Sequence, residues 1–419
     1  MAINQKTHNL FSNLFGRDRK LVACANLVVL LQILAIALLG FLSSHSIAEE
    51  IAEEIQTNKL YKIIAKPEGR PAAVHLARIL AEDDDGAYLI EEQSGQQQLV
   101  SAVAFGGIQA TGQPFQAWTK EQVAEDLLAR FPKGFKTYSS KHFVIVYNTT
   151  DAYAKWNAVL FERLHKAFYA YWKRFGAELH EPEFPLVSLI FESRNDYLKY
   201  AAEEKVLGAE NMIGFYSMQT NRIATYDLTG IEGMIPDGQR VSTSELVNVI
   251  LRQPAAERSV ATVVHEAVHQ ISFNSGLQQR LALHNPVAIS EGLAMYFEAP
   301  DLRSSSGWGG IGNVNRHSLA RFRQYLQSRP PNSLITLIQD DTRFQNAQTV
   351  SSAYGEAWAL SFFLAKTRGK EFAAYLADLA ARPLTTINDD KQRISDFQKH
   401  FGTDLEKLDR EFLKFIARQ

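Results

Sequence analysis

The most constraining feature of the sequence is a helical pattern in residues 261–298, where a few ionisable residues interrupt otherwise apolar runs. His265 and His269 are four residues apart, so on one helix they lie on the same face, one turn apart. Both imidazoles could therefore bind one metal ion. Glu266, rotated by about 100° from His265, would lie beside that ion, where a general base for a water molecule is needed.

A catalytic zinc ion needs a third protein ligand and one open position. The longer pattern H-E-x-x-H-x-x-G-x-x-H is excluded, because Ser272 and Ser275 stand where glycine and histidine would be required. Glu291 opens a second helical run and is the first candidate. His284, in the connection between the two runs, and Glu298, near the end of the second run, are weaker candidates.

The flanks of the H-E-x-x-H motif are helical and apolar, so both of its histidines would be partly buried. Buried polar groups need partners, and a metal ion supplies one. The sequence therefore predicts one zinc ion per chain, held by His265, His269 and, as the preferred third ligand, Glu291.

The string SEGLAMYFE at 290–298 resembles the S-E-G-L-A-x-Y-x-E signature of the peptidase MA-like branch of the gluzincin metallopeptidases, which also include the thermolysin-like enzymes. It also resembles a bacterial family of unknown function whose members are predicted to be secreted metallopeptidases. The resemblance is strongest over 261–298, is weaker from about 141 to 416, and does not cover the first 130 or so residues. It implies a zincin-like fold, with a mixed sheet, an active-site helix and a C-terminal helical half.

The same resemblance implies two further roles. In gluzincins an edge strand beside the active helix pairs with the extended substrate, and residues 212–228, which the sequence predicts to be two strands, are the candidate. Aminopeptidase-type gluzincins place a tyrosine hydroxyl opposite the zinc ion as a donor to the oxyanion. Tyr354 could supply it, or could instead be a core aromatic near Trp358; His317 and Tyr296 are the rival donors.

Residues 1–48 have the pattern of a delivery signal. An almost wholly apolar run, 21–42, follows a basic flank, and the small-x-small pattern at Ser46–Ala48 fits a cleavage point. The apolar run is also about long enough to span a bilayer. We therefore predict a cleaved signal peptide, with a retained membrane anchor as the alternative. In either case the protein is expected to be exported, to the periplasm or outside the cell.

The chain has one cysteine, Cys24. If the signal is removed, the mature chain has no disulfide and no cysteine nucleophile. The net charge of −2 gives no reason to expect nucleic acid or an anionic membrane surface as a partner.

The rest of the chain predicts two units of an α+β fold. Residues 49–134 form a small β-rich module, in which short alternating strands separated by turn residues precede a linker helix at about 119–131. Residues 135–419 form the metallopeptidase domain, which begins with strands and helices and ends with a helical half. A Gly/Ser-rich loop, 304–313, is either a lid over the cleft or a plain connection.

These features together predict an exported zinc metallopeptidase that hydrolyses peptide bonds, with Glu266 as the general base and a peptide or protein as its partner. One alternative is a non-catalytic zinc-binding scaffold on the same fold. The intact Glu266 argues against it, because a scaffold has no chemical need for that carboxylate. The other alternative is a zinc amidase that acts on cell-wall peptides, a reaction that the same residues would support.

Overall fold

The computed structural model describes residues 58–66, 71–230, 243–298 and 311–419. The predicted signal segment, 1–48, and most of the predicted lid, 304–313, lie outside these ranges. Within the described ranges, no helix combines the length and the apolar character needed to cross a membrane. The expected α+β class is confirmed, since these ranges contain thirteen α-helices and two five-stranded sheets.

The first sheet confirms the β-rich N-terminal module. It is antiparallel throughout, with the strand order β4-β3-β2-β1-β5. Its inward side chains, among them Ile63, Ile79 and Ile90, form a small core of their own. The strands are Lys59–Ala65 (β1), Ala73–Glu82 (β2), Tyr88–Glu92 (β3), Gln97–Val100 (β4) and Phe105–Pro114 (β5).

The second sheet is mixed and lies in the larger core. Its order is β6-β7-β8-β10-β9, with β7, β8 and β10 parallel to one another and β6 and β9 antiparallel at the two edges. All residues of the three parallel strands are buried, as expected for strands covered on both faces. The strands are Lys136–Ser139 (β6), Phe143–Tyr147 (β7), Leu186–Phe191 (β8), Gly214–Ser217 (β9) and Arg222–Tyr226 (β10).

The predicted linker helix, 119–131, is confirmed as Lys120–Arg130, and side chains cap the N-termini of seven of the thirteen helices in the described ranges. Thr119 and Gln122 form a reciprocal capping box at the first helix, and Thr150 caps the second. The helices are Lys120–Arg130 (α1), Asp151–Arg174 (α2), Arg194–Glu203 (α3), Ser244–Leu251 (α4), Glu257–Asn274 (α5), Val287–Phe297 (α6), Arg316–Leu326 (α7), Ser333–Gln339 (α8), Thr342–Gln345 (α9), Val350–Thr367 (α10), Gly369–Ala380 (α11), Asp390–Phe401 (α12) and Leu405–Ile416 (α13).

Helices α6 and α10 approach each other closely at Gly292. A Cβ at this position would lie 2.3 Å from Oγ of Ser361 and 2.4 Å from the carbonyl oxygen of Ala357. Only glycine fits such an approach of two helices. The close packing matters for the site, because Glu291 on α6 and Tyr354 on α10 flank this contact.

The N-terminal sheet is tied to the larger core through buried charges. Nη2 of Arg280 lies 2.5 Å from Oε1 of Glu91, and both side chains are almost fully buried. Arg78 contacts the other oxygen of the same carboxylate. The amide of Gln97 donates to the carbonyl of Gln219, in the turn between β9 and β10 (2.8 Å). The module therefore rests against the hairpin that borders the candidate site.

Candidate metal centre

Helix α5 is fixed to the second sheet by one buried amide. Nε2 of Gln270 donates to the carbonyl oxygens of Val187 in β8 (3.0 Å) and Asn221 before β10 (2.8 Å). Gln270 is completely buried, whereas His265 and Glu266 keep some exposure. The helix therefore turns its apolar side to the sheet and its ionisable residues away from the sheet, toward α6 and β9.

The structure brings His265, His269 and Glu291 together at one point. The two Nε2 atoms are 3.1 Å apart. Oε2 of Glu291 lies 3.2 Å from Nε2 of His265, and Oε1 lies 3.5 Å from Nε2 of His269. Glu291 comes from the first turns of α6, which packs against α5. One lone pair from each residue thus faces a common centre.

These separations match those of zinc ligands. Zinc is bound at about 2.0–2.1 Å by histidine nitrogen and carboxylate oxygen, so two ligand atoms of a tetrahedral site lie roughly 3.3 Å apart. The planes of the two imidazoles are inclined by 78°, which lets an ion lie in the plane of both rings at once. The spacing of the three residues therefore suits a zinc ion, with a fourth position for water or substrate.

A carboxylate holds the far side of one histidine. Oε2 of Glu298 lies 2.9 Å from Nδ1 of His265, and Nδ2 of Asn315 donates to the other oxygen of Glu298 (2.5 Å). Such partners fix the tautomer and orientation of metal-binding histidines. Glu298, one of the weaker ligand candidates, thus contacts the nitrogen of His265 that faces away from the common centre.

The remaining ligand candidate lies elsewhere. His284 is fully buried and is outside the group formed by His265, His269 and Glu291. Burial lowers the pKa of its imidazole, whose surroundings include the backbone of Leu379 and Thr386.

Glu266 is oriented by a backbone group. The amide of Tyr216 in β9 donates to Oε2 of Glu266 at 2.8 Å, so this edge strand lies directly beside the α5 motif. Burial raises the pKa of the Glu266 carboxyl, against the opposing effect of His265 and His269. A raised pKa suits a carboxylate that accepts and returns a proton.

The histidines and Glu291 shift each other's pKa. Burial disfavours the charged imidazole of His265, but its hydrogen bonds with Glu291 and Glu298 outweigh burial and raise its pKa well above the ordinary value. Burial alone would raise the pKa of Glu291, yet the neighbouring His269 and His265 hold that pKa far below its usual range. Glu291 is therefore a carboxylate at neutral pH, the form that binds a cation.

Tyr354 lies near the same carboxylates. The negative charge of Glu291 is the main cause that raises the pKa of the Tyr354 hydroxyl, followed by burial and by Glu266. The hydroxyl therefore stays protonated and can donate a hydrogen bond. The ring of Tyr354 packs edge-on against the ring of Phe344. The Tyr354 side chain is half-buried.

The rival donors have different surroundings. Tyr296 is buried among aromatic rings, and its hydroxyl interacts with that of Tyr171. His317 lies among charged groups that include Arg321, Arg258 and Glu298, and burial lowers its pKa. Of the three candidates, Tyr354 is the one whose hydroxyl interacts with both Glu291 and Glu266.

Sequence reasoning missed two contributors, the amide of Tyr216 and the side chain of Asn315. The first is a backbone group, so its role depends on strand register and no residue type signals it. Asn315 follows segment 304–313, whose composition predicted a loop. Asparagine is common in and next to loops, so its presence there does not indicate a contact with Glu298.

Comparison with protein families matches residues 259–385 to a family described as a protein of unknown function (DUF1570). This range contains the H-E-x-x-H motif, Glu291 and Tyr354. A search of curated proteins found no match to the chain. Because the family description carries no activity, function has to be inferred from the chemistry of the site.

Proposed function

We propose that the protein is a zinc-dependent peptidase. The observation that carries the proposal is the group of ligand atoms from His265, His269 and Glu291. The two Nε2 atoms are 3.1 Å apart, and the two oxygens of Glu291 lie 3.2 Å from one of them and 3.5 Å from the other. Glu266 is a carboxylate next to this group but not part of it. Three protein ligands and an open fourth position are typical of catalytic rather than structural zinc sites.

Zinc, when bound by these three residues, would activate a water molecule and polarise the substrate carbonyl. Glu266 would take the proton from that water and pass it to the leaving amine. The amide of Tyr216 would hold the Glu266 carboxylate in the orientation that this transfer needs. Tyr354, which stays protonated, would donate to the oxyanion of the tetrahedral intermediate.

The edge strand β9 supports a peptide as substrate. It ends the second sheet and contacts α5, and the amide of Tyr216 points away from its partner β10 toward Glu266. Because Glu266 already accepts a hydrogen bond from this amide, an extended peptide laid along the edge would bind through the other main-chain groups that face away from β10. Such bonds recognise any sequence. Export of the protein through residues 1–48 is part of the same proposal.

The test is cleavage of a mixed peptide library by the full-length chain, kept soluble in detergent and supplied with zinc. We expect Glu266→Gln to keep its zinc and to lose about 10²–10⁴-fold in rate, the usual contribution of a general base. Glu257→Gln, an exposed carboxylate on the first turn of the same helix, is the matched control and should keep its activity. Equal cleavage by wild type and Glu266→Gln would refute the mechanism.

Zinc bound by the wild type without any cleavage would favour a non-catalytic scaffold. The ends of the products would separate internal cutting from trimming of a terminus.

A further inference from the structure

A second cluster of metal-binding residue types lies outside the site described above. Side-chain atoms of His142, His165 and Glu181 lie within 4.8 Å of one another. His142 immediately precedes β7, His165 is on α2, and Glu181 is in the connection from α2 to β8. The cluster faces an open groove of about 530 Å³, so solvent ions can reach it.

Both ring nitrogens of His142 face carboxylates. Nδ1 lies 2.6 Å from Oε2 of Glu162, whose other oxygen accepts hydrogen bonds from the His142 amide and from Ser140 Oγ, each at 2.7 Å. Nε2 lies 3.1 Å from Oε2 of Glu181. A histidine held at Nδ1 by a carboxylate presents an Nε2 lone pair, the arrangement found behind metal ligands. That lone pair then faces the Glu181 carboxylate, and two electron-rich atoms so close together repel each other. A cation bound between them would remove this repulsion.

A buried nitrogen of His165 without a partner is a second reason to expect a bound ion, independent of the contacts of His142. The His165 side chain is only 4% exposed, and its Nε2 has no hydrogen-bond partner among the residues that the structure describes. Leaving a buried polar atom unpaired costs about 1–3 kcal/mol, so such an atom needs a reason.

We propose that His142, His165 and Glu181 form a second metal site, for a divalent transition metal of the zinc class. Two imidazoles and one carboxylate suit zinc and its neighbours in the first transition row better than calcium or magnesium, which prefer oxygen ligands. The site shares no residue with the proposed catalytic centre. A test of the second metal site is therefore independent of a test of the peptidase function.

The geometry also predicts that this site is the weaker of the two. The rings of His142 and His165 stack, with centroids 3.9 Å apart and planes inclined by only 17°. A metal ion lies in the plane of each imidazole that binds it, so one of the two rings must turn out of the stack before both can bind the same ion. At the first site, the angle of 78° requires no such movement.

The place of the cluster suggests what the ion would do. It would join α2, the start of β7 and the connection that carries Glu181. The same connection contacts the end of the H-E-x-x-H helix, since the amide of His180 donates to the carbonyl of Ser275 at 3.1 Å. An ion here would therefore hold in place a segment that supports α5, which is a structural role.

The test is a zinc titration of the full-length chain against a chromophoric chelator, with four variants. His165→Phe keeps an aromatic ring in the stack and removes the nitrogen. Glu181→Gln changes a side chain that is 69% exposed, so its folding is not at risk. His269→Ala disables the first site, and His400→Gln changes another half-buried histidine paired with a carboxylate.

We expect two zinc equivalents of unequal affinity in the wild type and in His400→Gln. His165→Phe should lose the weaker equivalent, Glu181→Gln should weaken it by about tenfold or more, and His269→Ala should lose the tighter one while keeping the weaker. The proposal is overturned if Glu181→Gln and His165→Phe both titrate like the wild type. It is equally overturned if the wild type binds a single equivalent that His269→Ala abolishes.

Discussion

Oε2 of Glu298 lies 2.9 Å from Nδ1 of His265, on the side of the ring opposite to Glu291. Glu291 and Glu298 are seven residues, or two helical turns, apart and therefore lie on the same face of α6 and its end. One helix thus supplies both the carboxylate that faces the common centre and the carboxylate that orients a histidine ligand. The division of roles depends on which nitrogen of His265 each carboxylate reaches.

This relationship predicts that Glu298→Gln weakens zinc binding without removing a ligand. The amide can still accept a hydrogen bond from Nδ1 of His265, but it lacks the charge that makes Nε2 a better ligand. Changes to such partners typically cost about 10–100-fold in metal affinity or activity. Competition with a chelator measures the affinity. Glu371→Gln, an exposed carboxylate on α11, is the control, and equal affinity in both variants would contradict the assigned role.

Tyr354→Phe tests the proposed oxyanion donor. Because the hydroxyl is needed only when charge develops on the substrate, we expect kcat to fall by about 10²–10³-fold, the usual effect of removing one such donor, with zinc content unchanged. Tyr296→Phe is the matched control, since its hydroxyl interacts with Tyr171 in the aromatic core. If Tyr354→Phe keeps its kcat, Tyr354 is a packing residue.

The sequence predicted the parts of the site that depend on local patterns. A single helix sets the spacing of His265, Glu266 and His269, and Glu291 opens the next apolar run. The hairpin predicted within 212–228 is confirmed as β9 and β10, because turn residues separate two short strands. The three shortest helices of the described ranges, α4, α8 and α9, have at most eight residues, too few for a periodicity that the sequence could show.

Long-range contacts could not be read from the sequence. The amide of Tyr216 reaches Glu266 only because β9 pairs antiparallel with β10 at the sheet edge next to α5. Asn315 reaches Glu298 because α7 begins beside the end of α6. Both contacts depend on how elements pack, and packing is decided by the whole core and not by any one segment.

Gly292→Ala tests the close approach of α6 and α10. The new methyl group would meet the carbonyl oxygen of Ala357 and Oγ of Ser361, so one helix must move. Overpacking of this kind usually costs about 1–3 kcal/mol, which denaturant unfolding would measure. Adding Ser361→Ala removes only the side-chain clash and should not restore stability. Full recovery in the double variant would show that the backbone contact is unimportant.

The last prediction concerns the buried charges between the N-terminal sheet and the larger core. Glu91→Gln leaves Arg280, 7% exposed, without a carboxylate, and breaking a buried pair typically costs about 3–5 kcal/mol. Arg280→Met should cost less, because Glu91 keeps Arg78 and Gln97 as partners.

Denaturant unfolding of both single variants and of Glu91→Gln/Arg280→Met would measure the coupling between the two residues. We expect the double variant to lose less stability than the sum of the single losses, because no charge from this pair is then left buried and unpaired. Strictly additive losses would mean that the 2.5 Å contact contributes nothing to the attachment of the N-terminal sheet. Arg280 also interacts with the side chain of Tyr216, so this one arginine contacts both the N-terminal sheet and the strand that orients Glu266.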